Sequence, residues 1–544
     1  MNRASASEIA DQLLHDLAPI DPTAADALGM EPANVMPALA PADFAARREA
    51  YRRAHRSLDA LGPPTPVELV LDAALRERVD AQLALDDAGF TTAQLAPLAT
   101  PMHQVREVFD NLPRETPADW ERVAEHLARV PSTIAAYAET LRAAANAGHV
   151  AAARQVLGVA AQCERWIGAD DFYRRLVASC DPRWRDHLDA AAAAAASEST
   201  ARFVEFLHGE LLPRAPKTDG VGRDLYAVTS RAFLGENVDL EETYAFGWDE
   251  LAQLTAEMRE VAAELGHDSI EAAAATLDAD PARRLSTPDE LTGWLQSRID
   301  DVTNAVDGVH FDLPTVARRA ECRISPTASG VMYYSPPDSS FSRPGRVWWA
   351  PPADGTSHTW REVTTVHHEG VPGHHLQITV AMTEPGLHPW QRSMAHVHGY
   401  VEGWAHYAER LADEFGLLRD PGERLGMLYG QRWRAARIVI DMGLHLGLPI
   451  PAGNGFTDAT DWTPSVGVAM LREAAGVDET TARFEVDRYL GWPAQALAFR
   501  VGAQLWRQAR DAAERRPGFD LRAFHMHALR LGPLGLGPLR EVMS

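Results

Sequence analysis

Residues His367 to Gln377 read HHEGVPGHHLQ, and no uninterrupted α-helix can carry them. His368 and Glu369 form the pair that opens a zinc-peptidase helix of the HExxH kind. There the second His follows one turn later on the same face, and the Glu works as general base. Here position 372 is Pro, and the next histidines are His374 and His375. On a regular helix six residues turn His374 roughly 240° away from His368, and seven return His375 to the face but about 10.5 Å along the axis. Zinc bonds to imidazole nitrogen are only about 2.0–2.1 Å long. A straight helix therefore fails. Pro372 removes an amide donor, clashes with the preceding turn and pushes Val371 out of the α region. Gly373 tolerates unusual dihedrals, including a positive φ if a bulge needs one. A bulge of Pro372 and Gly373 is expected to place His374 where the second His belongs, with His375 about 100° further round. The competing reading is a His-rich surface loop.

A zinc site needs a third protein ligand and an open fourth position. Past the turn TEPGLHPW comes VHGYVEGWAHYAERLADEF, an amphipathic helix bearing Glu402, His406 and Glu409. A short turn between two helices favours antiparallel packing. Glu402 is expected as the third ligand, with His406 and Glu409 one and two turns on as supports for the ligands.

Most of the remaining text is helical. Stretches such as DWERVAEHLARVPSTIAAYAETLRAAANAG carry apolar residues at three- and four-residue intervals. From about Cys322 the texture changes to β-branched and aromatic residues punctuated by Pro, Gly and Ser, which predicts two or three short strands before helices resume near Trp360. The expected fold is mainly α, with one small sheet beside the metal helix and two lobes, residues 1–310 and 311–544. The stretch 325–349 is expected beside the metal with a free strand edge. Tyr333 and Tyr334 point to opposite faces of their strand, so one is expected in the cleft (Tyr334) and one in the core.

Composition removes whole chemistries. The only lysine is Lys217, in the turn-like RAPKTDG, so a Walker A loop or a pyridoxal-phosphate Schiff base is not expected. A net charge of -24 argues against nucleic acid or anionic membrane as partner. Cys163, Cys180 and Cys322 form no CxxC and are expected as reduced thiols. The opening MNRASASEIADQLLHDLAP lacks an apolar core, and no run of about 18 apolar residues occurs, so a cytoplasmic location is expected.

Several further residues are candidates. His445 lies one turn after Asp441 and can be oriented by it toward an oxyanion, or the two form a plain helix-face pair. Arg437 can bind a substrate carboxylate or pair with Asp441. In DRYLGWPAQ, Tyr489 can donate to an oxyanion or be a satisfied core tyrosine, and Arg488 can clamp a peptide C-terminus.

His368–Gln377 and Glu402–Glu409 together resemble the bacterial domain-of-unknown-function 885 family, whose hallmark is HE-x-x-PGH-H-x-Q followed by EGWA-x-YAE. PTAADALGM near Pro22, MYYSPP at Met332–Pro337, RAARIVIDMGLHLG at Arg434–Gly447 and VDRYLGWPAQALAFRVG at Val486–Gly502 extend the resemblance over nearly the whole chain. One departure is Arg500, where the family often has Lys. The resemblance implies a zincin-like, mostly α-helical metallopeptidase relative. The expected function is a zinc-dependent hydrolase of amide bonds in short peptides, with Zn2+ on His368, His374 and Glu402. Glu369 is the base, His445 or Tyr489 the oxyanion donor, and Tyr334, Arg437 and Arg488 the substrate contacts. The alternatives are a metal-dependent hydrolase of a non-peptide amide and a helical binding protein without turnover. A monomer or homodimer fits either.

Overall fold

Helices account for most of the chain, and their ends follow the capping chemistry of the sequence. The computed structural model describes residues 5–30, 36–65, 67–187, 190–325, 332–338, 340–350 and 355–543. Contacts divide the chain into two compact units. One comprises Met1–Glu68, Val79–Val228 and Asp487–Pro493; the other comprises Leu69–Arg78, Thr229–Val486 and Ala494–Ser544.

In the first unit, α1 (Pro117–Asn146) starts in a capping box of Thr116 and Asp119, with Pro117 in the first turn, where its missing N–H costs nothing. It buries Trp120, Val123, Leu127, Val130, Ile134, Tyr137 and Leu141, spaced by threes and fours as one face requires. That face shares a core with Val156, Val159 and Cys163 of α2 (Ala153–Ile167) and with Ala196 and Phe203 of α3 (Ala190–Phe206). Tyr137 stacks on Phe203 at 5.6 Å.

The second unit contains α4 (Leu240–Glu264), α5 (Pro288–Val306) and three strands, β1 (Ala320–Ile324), β2 (Tyr333–Ser335) and β3 (Gly345–Trp349). The sheet order is β1-β3-β2, with β1 parallel and β2 antiparallel to β3. Val347 and Trp349 bury one face against Leu291, Leu295 and Ile299 of α5 and against Val366 of α6 (Thr359–Glu369). This seats the sheet against the helix that carries His368. Then follow α7 (His374–Thr383), α8 (His398–Glu414), α9 (Pro421–Leu446), α10 (Glu479–Gly491) and α11 (Ala498–Glu514). The side chain of Asp420 caps α9 at the N–H groups of Gly422 and Glu423, and Gly447 ends it at φ +64°.

The division between units does not fall at residue 310. Because α4 packs along α9 and α5 packs on the sheet, both belong with the helices downstream, and residues 487–493 belong with the first unit.

Candidate metal centre

The helix carrying His368 stops at Glu369, and a new one starts at His374. Between them residues 370–373 turn the chain, so the expected bulge is a complete break. The Gly370 N–H still reaches the Val366 carbonyl at 3.0 Å, and the His375 N–H reaches back to the Gly370 carbonyl at 3.1 Å. Gly373 sits at φ -75°, in no need of a positive angle. It is glycine for lack of room: a Cβ there would lie 1.9 Å from the His368 carbonyl oxygen and 2.4 Å from that of His367. The Trp404 indole N–H donates to the Pro372 carbonyl at 2.8 Å and ties the break to α8.

The break brings His368, His374 and Glu402 together, each offering one ligand atom within 4.8 Å of the others, a set able to hold a metal ion. His368 Nε2 lies 3.3 Å and His374 Nε2 3.5 Å from Glu402 Oε2. The two imidazoles meet edge to face at 4.8 Å. Both histidines are buried, while the Glu402 side chain keeps 21% of its surface open, which leaves one side of the set accessible. Burial pushes the Glu402 carboxyl up, but hydrogen bonds from His368 and His374 outweigh it and hold the group well below the ordinary range. Burial likewise opposes a charge on His368, yet Glu402 and Glu409 win and raise it to about 9. The two carboxylates thus make a place for positive charge.

Supports extend outward from this set. His368 Nδ1 donates to Glu409 Oε1 at 2.8 Å, which turns Nε2 toward Glu402. Glu409 Oε2 accepts from Gln431 on α9 at 2.7 Å, and Gln431 Oε1 accepts from Arg500 on α11 at 2.5 Å. Arg500 also donates to Glu250 of α4 at 2.6 Å, so it is spent inside the protein and not on a substrate. His406 Nδ1 stands 3.3 Å from Glu409. The Phe499 ring lies nearly parallel to His368 at 6.2 Å. It gets there because α8 and α11 meet backbone to backbone: a Cβ on Gly403 would be 2.6 Å from the Gly502 carbonyl carbon.

His375 is turned away and fully occupied. Its Nε2 donates to the Ala317 carbonyl at 3.1 Å, so its Nδ1 accepts the Tyr334 hydroxyl at 2.8 Å. Burial holds its pKa at about 4, so it stays neutral. Tyr334 therefore links β2 to α7. Tyr333 is not in the core: it is 40% exposed and stacks on Trp348 at 5.9 Å. The β2 strand ends the sheet on that side among the described residues, and the part of 325–349 formed by 326–331 and 339 lies outside them.

Glu369 is buried, and its Oε2 has no hydrogen-bond partner. Of the other candidates, Arg437 comes near the set, with its guanidinium 4.4 Å from the Phe499 ring. His445 and Asp441 form a pair at 3.6 Å with fully buried side chains. Arg437 donates to Glu485 at 2.6 Å. Arg488 and the buried Tyr489 belong to the segment grouped with the first unit. Gln431, Phe499 and Arg434, which surround the set, carry no local motif and come from distant stretches of chain.

A family model described as "Bacterial protein of unknown function (DUF885)" matches residues 22–543. No curated protein matches the sequence. The fold is shared with a candidate lipoprotein from Colwellia psychrerythraea, with a TM-score of 0.85 at 20% identity over 99% of this chain and 98% of that one. It is also shared with a candidate lipoprotein of unknown function from Shewanella oneidensis, with a TM-score of 0.71 at 16% identity over 99% of this chain and 100% of that one. These descriptions overturn the expectation of a cytoplasmic location. No helix among the described residues is long and apolar enough to cross a membrane.

Proposed function

The chain belongs to the bacterial DUF885 family, and we propose that it is a zinc-dependent hydrolase of amide bonds in short peptides, with a zincin-like arrangement of its ligands. The observation that carries this reading is the convergence of His368, His374 and Glu402 beside a buried carboxylate oxygen of Glu369 that has no partner. Two imidazole nitrogens and one carboxylate, with one side left accessible, are the donor set of a catalytic zinc site. His368, His374 and Glu402 would hold the ion, which when bound supplies a positive charge that polarises an amide carbonyl and makes water more acidic.

The protein's own residues do the rest. Glu369 Oε2 takes a proton from the attacking water. The water oxygen bonds to the carbonyl carbon, the C–N bond breaks, and Glu369 returns the proton to the departing nitrogen. Glu409 keeps His368 in the tautomer whose Nε2 faces the ligand set. The strand β2, which ends the sheet among the described residues, would take an extended substrate by strand addition, and Tyr334 holds that strand to α7 through His375. A slender peptide reaches side chains this deeply buried; a folded protein does not. A binding protein without turnover has no use for a buried carboxylate placed beside the ligands, so Glu369 favours the hydrolase.

The test is direct. The purified chain, supplemented with zinc, carries about one zinc per molecule by elemental analysis and cleaves members of a short-peptide and acyl-amino-acid library read by mass spectrometry. Protein that retains no transition metal after supplementation overturns the reading.

A further inference from the structure

We propose that Arg434 receives a carboxylate of the substrate next to the scissile amide, which makes the preferred substrates peptides cut at their free C-terminal end. This rests on the hydrolase reading above and adds a specificity-determining residue to it.

The other buried or half-buried arginines around α9 are spent. Arg432 donates to the carbonyls of Ala474 at 2.7 Å and Glu473 at 3.1 Å. Arg437 is held by Glu485, and Arg500 by Glu250 and Gln431. Arg434 differs. Its hydrogen bond is a long one, 3.4 Å from Nη1 to the Gly430 carbonyl of its own helix. Its Nε is buried without a partner, and no carboxylate among the described residues lies within ion-pair distance of it. A guanidinium cannot discharge itself by losing a proton, and half-buried here it has no counter-ion in contact. Such a fork is shaped for two parallel bonds to a planar carboxylate.

Its position gives the vacancy a purpose. The guanidinium lies 5.8 Å from the centre of the Phe499 ring, and the same ring lies along His368. Arg434 and a metal-ligand candidate thus both lie beside one aromatic ring. Thr364, one turn before His368 and with a buried hydroxyl that also has no partner, stands with Arg434 Nη1 against Gly430. Glu402, Glu409 and Glu485 are the nearby negative charges, but the first two are engaged with imidazoles and Glu485 with Arg437. The sequence pointed to Arg437 and Arg488 for this task; Arg437 is taken by Glu485.

A carboxylate there has two sources, the end of the peptide or an acidic side chain beside the cut. The experiment measures kcat/KM of the zinc-supplemented protein on N-acetyl-Ala-Ala, on its C-terminal amide and on N-acetyl-Ala-Glu-amide. The free acid is expected to be favoured over the Ala-Ala amide by roughly 10- to 100-fold. Arg434→Gln is expected to abolish that preference mainly through KM, and Arg434→Lys to restore part of it. A preference for the Glu peptide that Arg434→Gln removes assigns the site to acidic side chains and overturns the chain-end assignment. Equal rates on acid and amide, or a preference that survives Arg434→Gln, overturn the proposal as a whole. If no peptide is cleaved, the hydrolase reading is at fault, and binding decides this one: zinc-loaded Glu369→Gln protein is titrated calorimetrically with the same peptides. Tighter binding of the acid, lost in the Glu369→Gln, Arg434→Gln double variant, supports the carboxylate site; equal binding overturns it. If Arg434→Gln does not fold, as circular dichroism shows, the wild-type acid-to-amide ratio and Arg434→Lys carry the test.

Discussion

In the first unit, α1 turns Trp120, Leu127, Ile134 and Tyr137 into a core of aliphatic and aromatic side chains. In the second, α8 turns Glu402, His406 and Glu409 inward, and α9 answers with Gln431, Arg434 and Arg437. Both helices bury apolar side chains, and α8 buries His406 and Glu409 among them. Apolar burial needs only shape, at about 25 cal/mol per Å2 removed from water. Buried polar groups need partners, and each satisfied one fixes the geometry of the next. The first region is built for stability and the second for placing donor atoms. Prolines follow the same contrast. Pro131 sits inside α1, which continues through it while the hydroxyls of Ser132 and Thr133 bond to the Arg129 carbonyl. Pro372, between Gly370 and Gly373, stands where one helix ends and another begins.

The sharpest way to break this comparison is to exchange one atom of Glu369. Glu369→Gln is expected to keep the metal and lose turnover by roughly 10²- to 10⁴-fold, the range of general-base catalysis, with little change in melting temperature. Full activity in this variant would remove the base from the mechanism. Phe109 is the converse case. It is fully buried in the first unit, edge to face with Phe172 and Tyr173. Phe109→Ala is expected to cost about 3–5 kcal/mol in a urea melt and leave zinc stoichiometry unchanged. Coupled loss of stability and metal would show that the two regions do not divide their tasks.

A smaller effect is expected from Glu409→Gln, which removes a charged partner of His368. Metal affinity should fall roughly 10- to 100-fold in a chelator competition, with turnover at saturating zinc affected less. The smallest effect concerns acid. His103 of the first unit is bonded to Thr100 and Gln162, and burial lowers its pKa to about 4. The unfolded chain takes up a proton near pH 6.5 and the folded one near 4, so this contribution is complete above about pH 6.5 and is lost as pH falls toward 4. At pH 5 the loss is about 1–2 kcal/mol. His103→Gln should flatten the fall in urea midpoint between pH 7 and 5, and an unchanged slope would remove His103 as its cause.

The candidate ligands were legible because each lies in a short pattern: a His-Glu pair, a Pro-Gly break and a Glu-bearing helix. Their distances to one another follow from a break whose cause was half legible. Pro372 announces it, but the need for Gly373 comes from the carbonyls of His367 and His368 pressing on its Cα, which no propensity records. Helical periodicity gave α1 and its buried face. The small sheet was legible from its β-branched and aromatic text, whereas the faces of Tyr333 and Tyr334 were not, because Trp348 offers an exposed ring to stack on. Gln431, Phe499, Arg434 and Arg500 were hidden: they reach the site across helices whose order in space depends on contacts such as Gly403 against Gly502. His445 looked catalytic from its spacing to Asp441, and the same spacing makes the buried pair that the two side chains form.

The indole of Trp404 holds the Pro372 carbonyl two residues along α8 from Glu402. The frame that sets the three ligand atoms is therefore closed by the chain's own bonds, like a socket cut before the plug arrives. Stripping the ion should leave a folded, refillable protein, unlike a zinc finger, whose fold is made by its metal. The ion such a set would take then depends on its donor types and geometry together with the divalent ions its compartment supplies.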